Sequence, residues 1–358
     1  MGRWWAAPEI ASTIAFVAGW GAGWVGFVRA RRMPRETPRD NRLRGPVSVI
    51  IPCRDEAENL AALLPNLRSA LRDGDEIIVV DDESNDGTST VAQSHGAVVV
   101  RSTALPIGWA GKSHACWLGA NRAANDTFIF LDADVRLGTR AVDDLASLSE
   151  FHPQAVVSVM PWHRTATFVE QLSMMFNVVS SMVASLGASR GGRRVAYGPF
   201  LAVRRATYMA IGGHSHREVR GAVVEDLALA RAMPEAVAIV GRRDEVEYRM
   251  YPRGFAQLIE GWTKNTAIGA ASVPRPAAIF IIAWVVSLCG GFVTSAWFFV
   301  ASVVQVAIMA RRVGNFGVLS ALLYPLHAIV FVAVSLRSLV RAALVGNVAW
   351  RGRRISTR

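Results

Sequence analysis

Phe128-Ile-Phe-Leu-Asp-Ala-Asp134 is the stretch from which the rest of the chain is read. Four apolar residues in a row, rich in aromatic and β-branched side chains, make a short strand buried on both faces. Two carboxylates follow at once. The same grammar recurs upstream, where Val47-Ser-Val-Ile-Ile51 leads to Asp55 and Glu56, and Glu76-Ile-Ile-Val-Val80 leads to Asp81 and Asp82. Residues 97–100 and 155–160 read as two further strands. Between them, Leu60, Leu63, Leu64, Leu67 and Leu71 keep helical spacing, and residues 112–125 suit a helix. Strands alternating with helices imply an α/β domain, a mostly parallel sheet with helices on both faces. Ligands of such sheets bind beyond the carboxyl ends of the strands. Three acidic clusters therefore converge on one edge, which is costly unless a cation or a hydroxyl-rich ligand offsets the charge.

The chain has 358 residues, and at 52% hydrophobic with a mean hydropathy of +0.28 it is too apolar for an ordinary soluble enzyme. The excess sits in three uncharged runs. Residues 10–28 are long enough to cross a bilayer, and Arg29, Arg31, Arg32 and further arginines through Arg44 follow them. A secretory signal would carry its charge ahead of the apolar run, so this is an uncleaved anchor with a basic linker over 29–46. Positive flanks stay cytoplasmic, which puts the domain at 47–272 inside a cell membrane. The second run, 276–310, is uncharged, and the third, 318–336, is broken only by Pro325 and His327. A split at Gly290-Gly291 would put the tail (Arg337, Arg341, Arg351, Arg353, Arg354, Arg358) outside. Two crossings, over 277–309 and 318–336, are therefore expected, making a multi-pass protein. Residues 172–188 are also uncharged, but a crossing there would put Asp134 and Asp226 on opposite sides of the membrane. An interfacial helix near 168–189 is expected instead.

The net charge of +11 does not point to nucleic acid, because most of the excess arginine flanks membrane segments and no binding motif accompanies it. Cys53, Cys116 and Cys289 are scattered and odd in number, which gives no disulfide framework and no zinc spacing.

Two carboxylates one residue apart at a strand end, Asp132 and Asp134, can share a hard divalent cation with a diphosphate. Such a cation neutralises charge on a leaving nucleoside diphosphate. An Asp-x-Asp turn alone is common, and its company decides. Pro52-Cys-Arg-Asp-Glu56 with Glu58-Asn-Leu60, Val80-Asp-Asp-Glu-Ser-Asn-Asp-Gly-Thr88, Phe130-Leu-Asp-Ala-Asp134 and Val224-Glu-Asp-Leu227 resemble, in this order, the motifs of the family 2 glycosyltransferases. The resemblance implies a GT-A fold with transmembrane helices added. It also implies that the loop of Pro52, Arg54 and Glu56 binds nucleotide and that Asp82, beside Asp81, holds uracil. Asp132 would contact ribose, Asp134 with Asp132 would bind Mg²⁺ or Mn²⁺, and Asp226 with Glu225 would supply the base. Glu225 and Asp226 also suit the start of a helix over 227–233 by charge alone.

Leu105-Pro-Ile-Gly-Trp-Ala-Gly-Lys112, Gly198-Pro-Phe200 through Ile211-Gly-Gly-His214, Arg249-Met-Tyr-Pro-Arg-Gly-Phe255, Glu260-Gly-Trp-Thr-Lys264 and Trp350-Arg-Gly-Arg353 narrow the resemblance to carotenoid-acid and hopanoid-associated glycosyltransferases. That implies an inverting enzyme moving a hexose, glucose first among candidates, from a UDP-sugar to a membrane lipid such as a carotenoid acid. A polyprenyl-phosphate sugar synthase and a hopanoid glycosyltransferase are the enzymatic alternatives. A non-catalytic lipid-binding scaffold is the alternative of another class, and the intact acidic motifs speak against it. Processive relatives carry Gln-x-x-Arg-Trp; with Trp262 as its tryptophan, Gly261 stands in the arginine place, Leu258 in the glutamine place, and Gln257 one position out of register. Lys264 is the substitute candidate. Lys112 and Lys264 are the only lysines among 39 cationic residues, and both fall inside these motifs, which suggests phosphate or carboxylate contacts. His214 is an acceptor-site candidate, and Tyr197-Gly-Pro199 reads as a turn lining the acceptor cleft.

Overall fold

The computed structural model describes residues 6–33, 44–187, 194–273, 275–344, 347–350 and 353–356. Most of the basic linker, with Arg351 and Arg358 of the tail, lies outside the described residues. In chain order come α1 (Ala6–Val28), β1 (Val47–Cys53), α2 (Ala57–Ala70), β2 (Glu76–Asp81), α3 (Thr88–Ser94), β3 (Val98–Arg101), α4 (Gly111–Arg122), β4 (Thr127–Leu131), β5 (Val135–Leu137), α5 (Ala141–Phe151), β6 (Ala155–Met160) and β7 (Trp162–His163). Then follow α6 (Phe168–Gln171), α7 (Met174–Gly187), β8 (Phe200–Arg204), α8 (Arg205–Ala210), a 3-10 turn (Gly213–Ser215), α9 (Glu225–Ala232), β9 (Glu235–Val240) and β10 (Val246–Tyr248). The chain closes with α10 (Phe255–Ser272), α11 (Arg275–Thr294), α12 (Ala296–Val313), α13 (Val318–Leu322), α14 (Tyr324–Leu344), β11 (Asn347–Trp350) and β12 (Arg353–Ser356).

Two compact units form. One gathers Arg32–Trp162, Arg194–Arg249 and Arg341–Arg358; the other gathers Met1–Arg31, His163–Arg193 and Met250–Val340. The first is built on a seven-stranded sheet of order β3-β2-β1-β4-β8-β6-β9. Its pairs are parallel except where β8 lies antiparallel between β4 and β6. Side chains alternate across a strand, so β1 feeds two cores. Val47, Val49 and Ile51 pack with Leu60, Leu63, Leu64 and Leu67 of α2 on one face. Ile50, with Ile78 and Val80 of β2, packs against Ala115, Cys116 and Ala120 of α4 on the other. Each buried leucine of α2 contributes about 1.5–3 kcal/mol. Where the linker enters, Arg44 bridges Asp75 and Asp143, each at 2.7 Å. The register Cys53↔Asp81 brings the ends of β1 and β2 level, and with them the acidic residues beyond.

The helical unit corrects two expectations. The uncharged run 276–310 is two helices, α11 and α12, with a break at Ser295, whose side chain caps α12 by accepting from the Trp297 N–H. With α1 and α14 this gives, among the described residues, four helices long and apolar enough to cross a membrane, three of them late in the chain. The even number of late crossings therefore falls away. Nor does α7 lie on a leaflet with an open apolar face. It packs against α1, α11 and α12, and none of residues 174–185 is exposed. Its polar groups explain why protein surrounds it: Asn177 hydrogen-bonds His163 Nδ1 at 2.9 Å, and the Ser185 hydroxyl donates to the Gly26 carbonyl.

The helices approach closely where side chains are small. A Cβ on Gly19 would sit 2.4 Å from the Ala283 carbonyl oxygen, and one on Gly23 would sit 2.3 Å from the Trp284 ring. Gly19 and Gly23 stand four apart on one face of α1, the spacing that lets membrane helices touch backbone to backbone. Gln305 of α12 then joins the group, accepting from Trp284 Nε1 at 2.8 Å and donating to the Trp20 carbonyl at 2.7 Å.

Candidate functional site

The loops after β1 and β2 are zipped together. The Asp55 N–H donates to Ser84 Oγ at 3.0 Å, Asp55 Oδ1 accepts from the Asn85 N–H at 2.8 Å, and the Glu56 N–H donates to Thr88 Oγ1 at 3.0 Å. Asp55 and Glu83 hold φ of 54° and 59°, strained for residues with a Cβ and typical of ligand loops. Asp82 accepts an ion pair from Arg54 at 3.6 Å, and its own N–H is held by the Cys53 carbonyl at 2.8 Å. Asp81 is turned inward. Burial pushes its carboxyl up, but hydrogen bonds from Ser84 and Ser89 outweigh this and hold it below the usual range. It braces the loop, whereas the sequence had placed it with the ligand contacts. Pro52 lies within β1, and the Glu56 carboxylate accepts from Asn59 Nδ2 at 2.7 Å.

Beyond β4 stand Asp132 and Asp134. The Lys112 ammonium, at the start of α4, meets Asp132 Oδ1 at 2.7 Å and Glu225 Oε1 at 2.9 Å. Partial desolvation pulls the Lys112 pKa down, but the two carboxylates outweigh it and hold the ammonium well above its ordinary value, so it stays cationic. For Asp132, burial outweighs the lysine and pushes the carboxyl up. Asp226, next to Glu225 on α9, is pushed up to about 7 by burial and then by Glu225, against the opposing pull of Lys112. A carboxyl there can exchange a proton near neutral pH, the property wanted of a general base.

Asp134 is exposed, and the neighbouring β5 pairs with β10 so that Tyr248 stands opposite Val135. Among the described residues no three His, Cys, Asp or Glu side chains form a metal cage. A hard cation that takes one or two carboxylates and completes its shell from phosphates needs no such cage, and two oxygen-bearing side chains at a strand end fit that donor set.

His214 is 2% exposed. Its Nδ1 shares a hydrogen bond with the Tyr208 hydroxyl at 2.8 Å, its ring meets Phe130 edge-on at 5.0 Å, and burial lowers it to about 4. A neutral, enclosed imidazole supports the core behind Lys112 and offers no face to a lipid, which corrects the acceptor-site expectation. Trp262 and Lys264 lie on α10, in the helical unit. There Trp262 stacks on Phe176 at 4.5 Å and donates to Ser173 Oγ at 3.0 Å. A Cβ on Gly261 would fall 2.1 Å from the Tyr251 ring. The missing arginine thus has a packing reason, and Trp262 is a packing residue.

The sequence missed the bracing role of Ser84, Asp86, Thr88 and Ser89, although a run dense in Asp, Asn, Ser, Thr and Gly is itself a turn signal. It also missed what the Tyr197-Gly-Pro199 turn touches. The Asp132 N–H donates to the Pro199 carbonyl at 2.9 Å, and Gly198 packs against the Asp226 carboxylate.

The model of glycosyl transferase family 2 matches residues 48–208. A 4,4'-diaponeurosporenoate glycosyltransferase of Staphylococcus haemolyticus (strain JCSC1435) is 30% identical over 94% of this chain and 95% of its own. Its counterpart in Staphylococcus aureus (strain USA300) is 30% identical over 87% and 88%. Among solved structures, the mannosyltransferase PcManGT from Pyrobaculum calidifontis, in complex with GDP-Man and Mn²⁺, superposes with a TM-score of 0.56 at 19% identity. That match covers 92% of this chain and 98% of PcManGT; at such identity it speaks for the fold.

Proposed function

The chain belongs to glycosyl transferase family 2, a glycosyltransferase with a GT-A fold, and on that premise we propose that it moves a hexose from a UDP-sugar to a membrane lipid, with inversion. The observation that carries this reading is the ion-paired cluster of Lys112, Asp132 and Glu225 beside Asp226, whose carboxyl sits at about 7. A lipid acceptor is supported by the carotenoid-acid relatives and by the four apolar helices. Among carotenoid acids the accepting group is a carboxylate.

Asp82 and the loop of residues 52–56 hold the nucleoside in this proposal. Asp134, with Asp132 beside it, would hold Mg²⁺ or Mn²⁺, which when bound offsets charge on the diphosphate. An acceptor oxygen attacks the anomeric carbon, and the bond from that carbon to UDP breaks on the opposite face, with UDP taking the electron pair. If the acceptor is a hydroxyl, its proton passes to the Asp226 carboxylate. If it is a carboxylate, no proton moves, and Asp226 orients the acceptor. Lys112 holds Glu225 and Asp132 in place beside Asp226.

The test is transfer from UDP-[¹⁴C]glucose to endogenous lipid in membranes carrying the protein, with Mn²⁺ or EDTA, followed by organic extraction. Metal-dependent label in the lipid phase is expected. Label that stays water-soluble with every UDP- and GDP-hexose would refute a lipid acceptor.

A further inference from the structure

The Tyr197–Pro199 turn is pinned at both ends. The Tyr197 N–H donates to Ser158 Oγ of β6 at 3.1 Å, and the Pro199 carbonyl accepts the Asp132 N–H at 2.9 Å. Gly198, between these anchors, has its Cα against Asp226. A Cβ there would lie 3.0 Å from Asp226 Oδ2, 3.2 Å from Cγ and 3.3 Å from Cβ. All three are closer than ordinary side-chain contacts, and all three belong to one residue. The φ of Gly198 is outside the left-handed region, so alanine could adopt this backbone and glycine is needed here for space alone. The anchors prevent the turn from yielding. The carboxylate would have to move.

We infer that Gly198 is a positioning residue, one whose bare Cα sets where the Asp226 carboxylate sits relative to the Asp132–Asp134 turn hung on Pro199. The inference rests on the proposed role of Asp226 and adds to it. One three-residue turn carries the backbone of the cation-holding motif at one position and backs the base at the position before. The spacing between the two halves of the chemistry is then fixed by main chain, which has no rotamers. Displacements well under 1 Å suffice to matter, because about 1 Å of misplacement can cost roughly 100-fold in rate.

The experiment compares Gly198→Ala, Asp226→Asn and the double variant in full-length protein in membranes, with UDP-[¹⁴C]glucose and endogenous lipid acceptor. Gly198→Ala is expected to lower kcat about 10-fold or more with the donor KM within about two-fold. Its rising pH limb should move to higher pH, since a methyl group beside the carboxylate removes room for solvent. In the Asp226→Asn background the same change should cost nothing further, because no base is left to displace. Independent, multiplicative losses in the double variant would overturn the inference. So would a full-rate Gly198→Ala beside an impaired Asp226→Asn, which would leave the base assignment standing. Unchanged turnover in both Asp226→Asn and Gly198→Ala would sink both. If Gly198→Ala does not fold, Gly198→Ala with Asp226→Gly, which removes all three crowded atoms, should recover the melting of Asp226→Gly alone; failure to recover would place the need for glycine elsewhere.

Discussion

Asp226→Asn should stabilise the protein while disabling it, and the gain should appear only at the higher pH. The Asp226 carboxyl is raised from 3.8 to about 7, so the folded state holds its proton across a window where the unfolded chain has lost it. Stability from this group is therefore fully present below pH 4 and is lost as pH rises through 7. At about 1.4 kcal/mol per unit, the ceiling on the loss is about 4 kcal/mol at pH 8. Asparagine keeps the size and hydrogen bonding but cannot ionise, and so avoids that loss. For a unit of this size, ~2–4 °C in Tm accompanies each kcal/mol, which puts the variant up to about 8–16 °C above the parent at pH 8 and level with it only near pH 3. Tryptophan-monitored melting of both proteins in detergent at the two pH values measures this. Transfer should fall about 10²- to 10⁴-fold for a hydroxyl acceptor and far less for a carboxylate already ionised with a pKa near 4. A variant less stable than the parent at pH 8, or a difference independent of pH, would refute a raised carboxyl at this position.

Asp134→Ala should abolish transfer and the Mn²⁺-dependent part of UDP-glucose binding while leaving melting unchanged, since Asp134 is exposed; turnover surviving at saturating donor would remove it from the cation site. Lys112→Met should move the rising pH limb of turnover upward, because the lost charge favoured the Asp226 carboxylate. The same change should cost less than the ~3–5 kcal/mol of a fully buried pair, since the Lys112 side chain keeps 38% of its surface; a limb that stays in place would uncouple the two residues. A reporter inserted after Asn315 should read on the same membrane face as one inserted at Gly45, because α11 and α12 make two crossings. Opposite faces would mean that one of those helices does not span.

Short buried strands were legible because their composition leaves little choice. The expected strand at 155–160 coincides with β6, and those beginning at Val47 and Glu76 start where β1 and β2 start. The carboxylates at their ends followed at no extra cost. The antiparallel β8 did not follow, since Phe200-Leu-Ala-Val-Arg204 carries no mark of running between β4 and β6. Its partners are set by a chain excursion of dozens of residues, and pairing is a non-local choice. The break at Ser295 was missed for a different reason. A serine cap interrupts a helix without changing hydropathy, so a window of apolar residues reads straight through it. For α7 the ambiguity is physical, because an uncharged helix suits protein and lipid surroundings equally. Trp262 looked like a ligand contact from its motif, and only Ser173 and Phe176, far from it in sequence, show it to be packing.

The bond between Gln305 and the Trp20 carbonyl spans 285 residues, and that separation is also an interval of time. At roughly 5–20 residues per second, the ribosome needs about 15–60 s to travel from one partner to the other. For most of it, until α11 emerges, the Gly19–Gly23 face of α1 is without its partner, while most of the sheet-bearing unit is synthesised and can fold. The first helix to enter the membrane is thus among the last to be completed. A nascent chain stalled before α11 would carry the sheet-bearing unit on an unfinished bundle, exposing to membrane quality control the small-residue face that α11 hides in the mature protein.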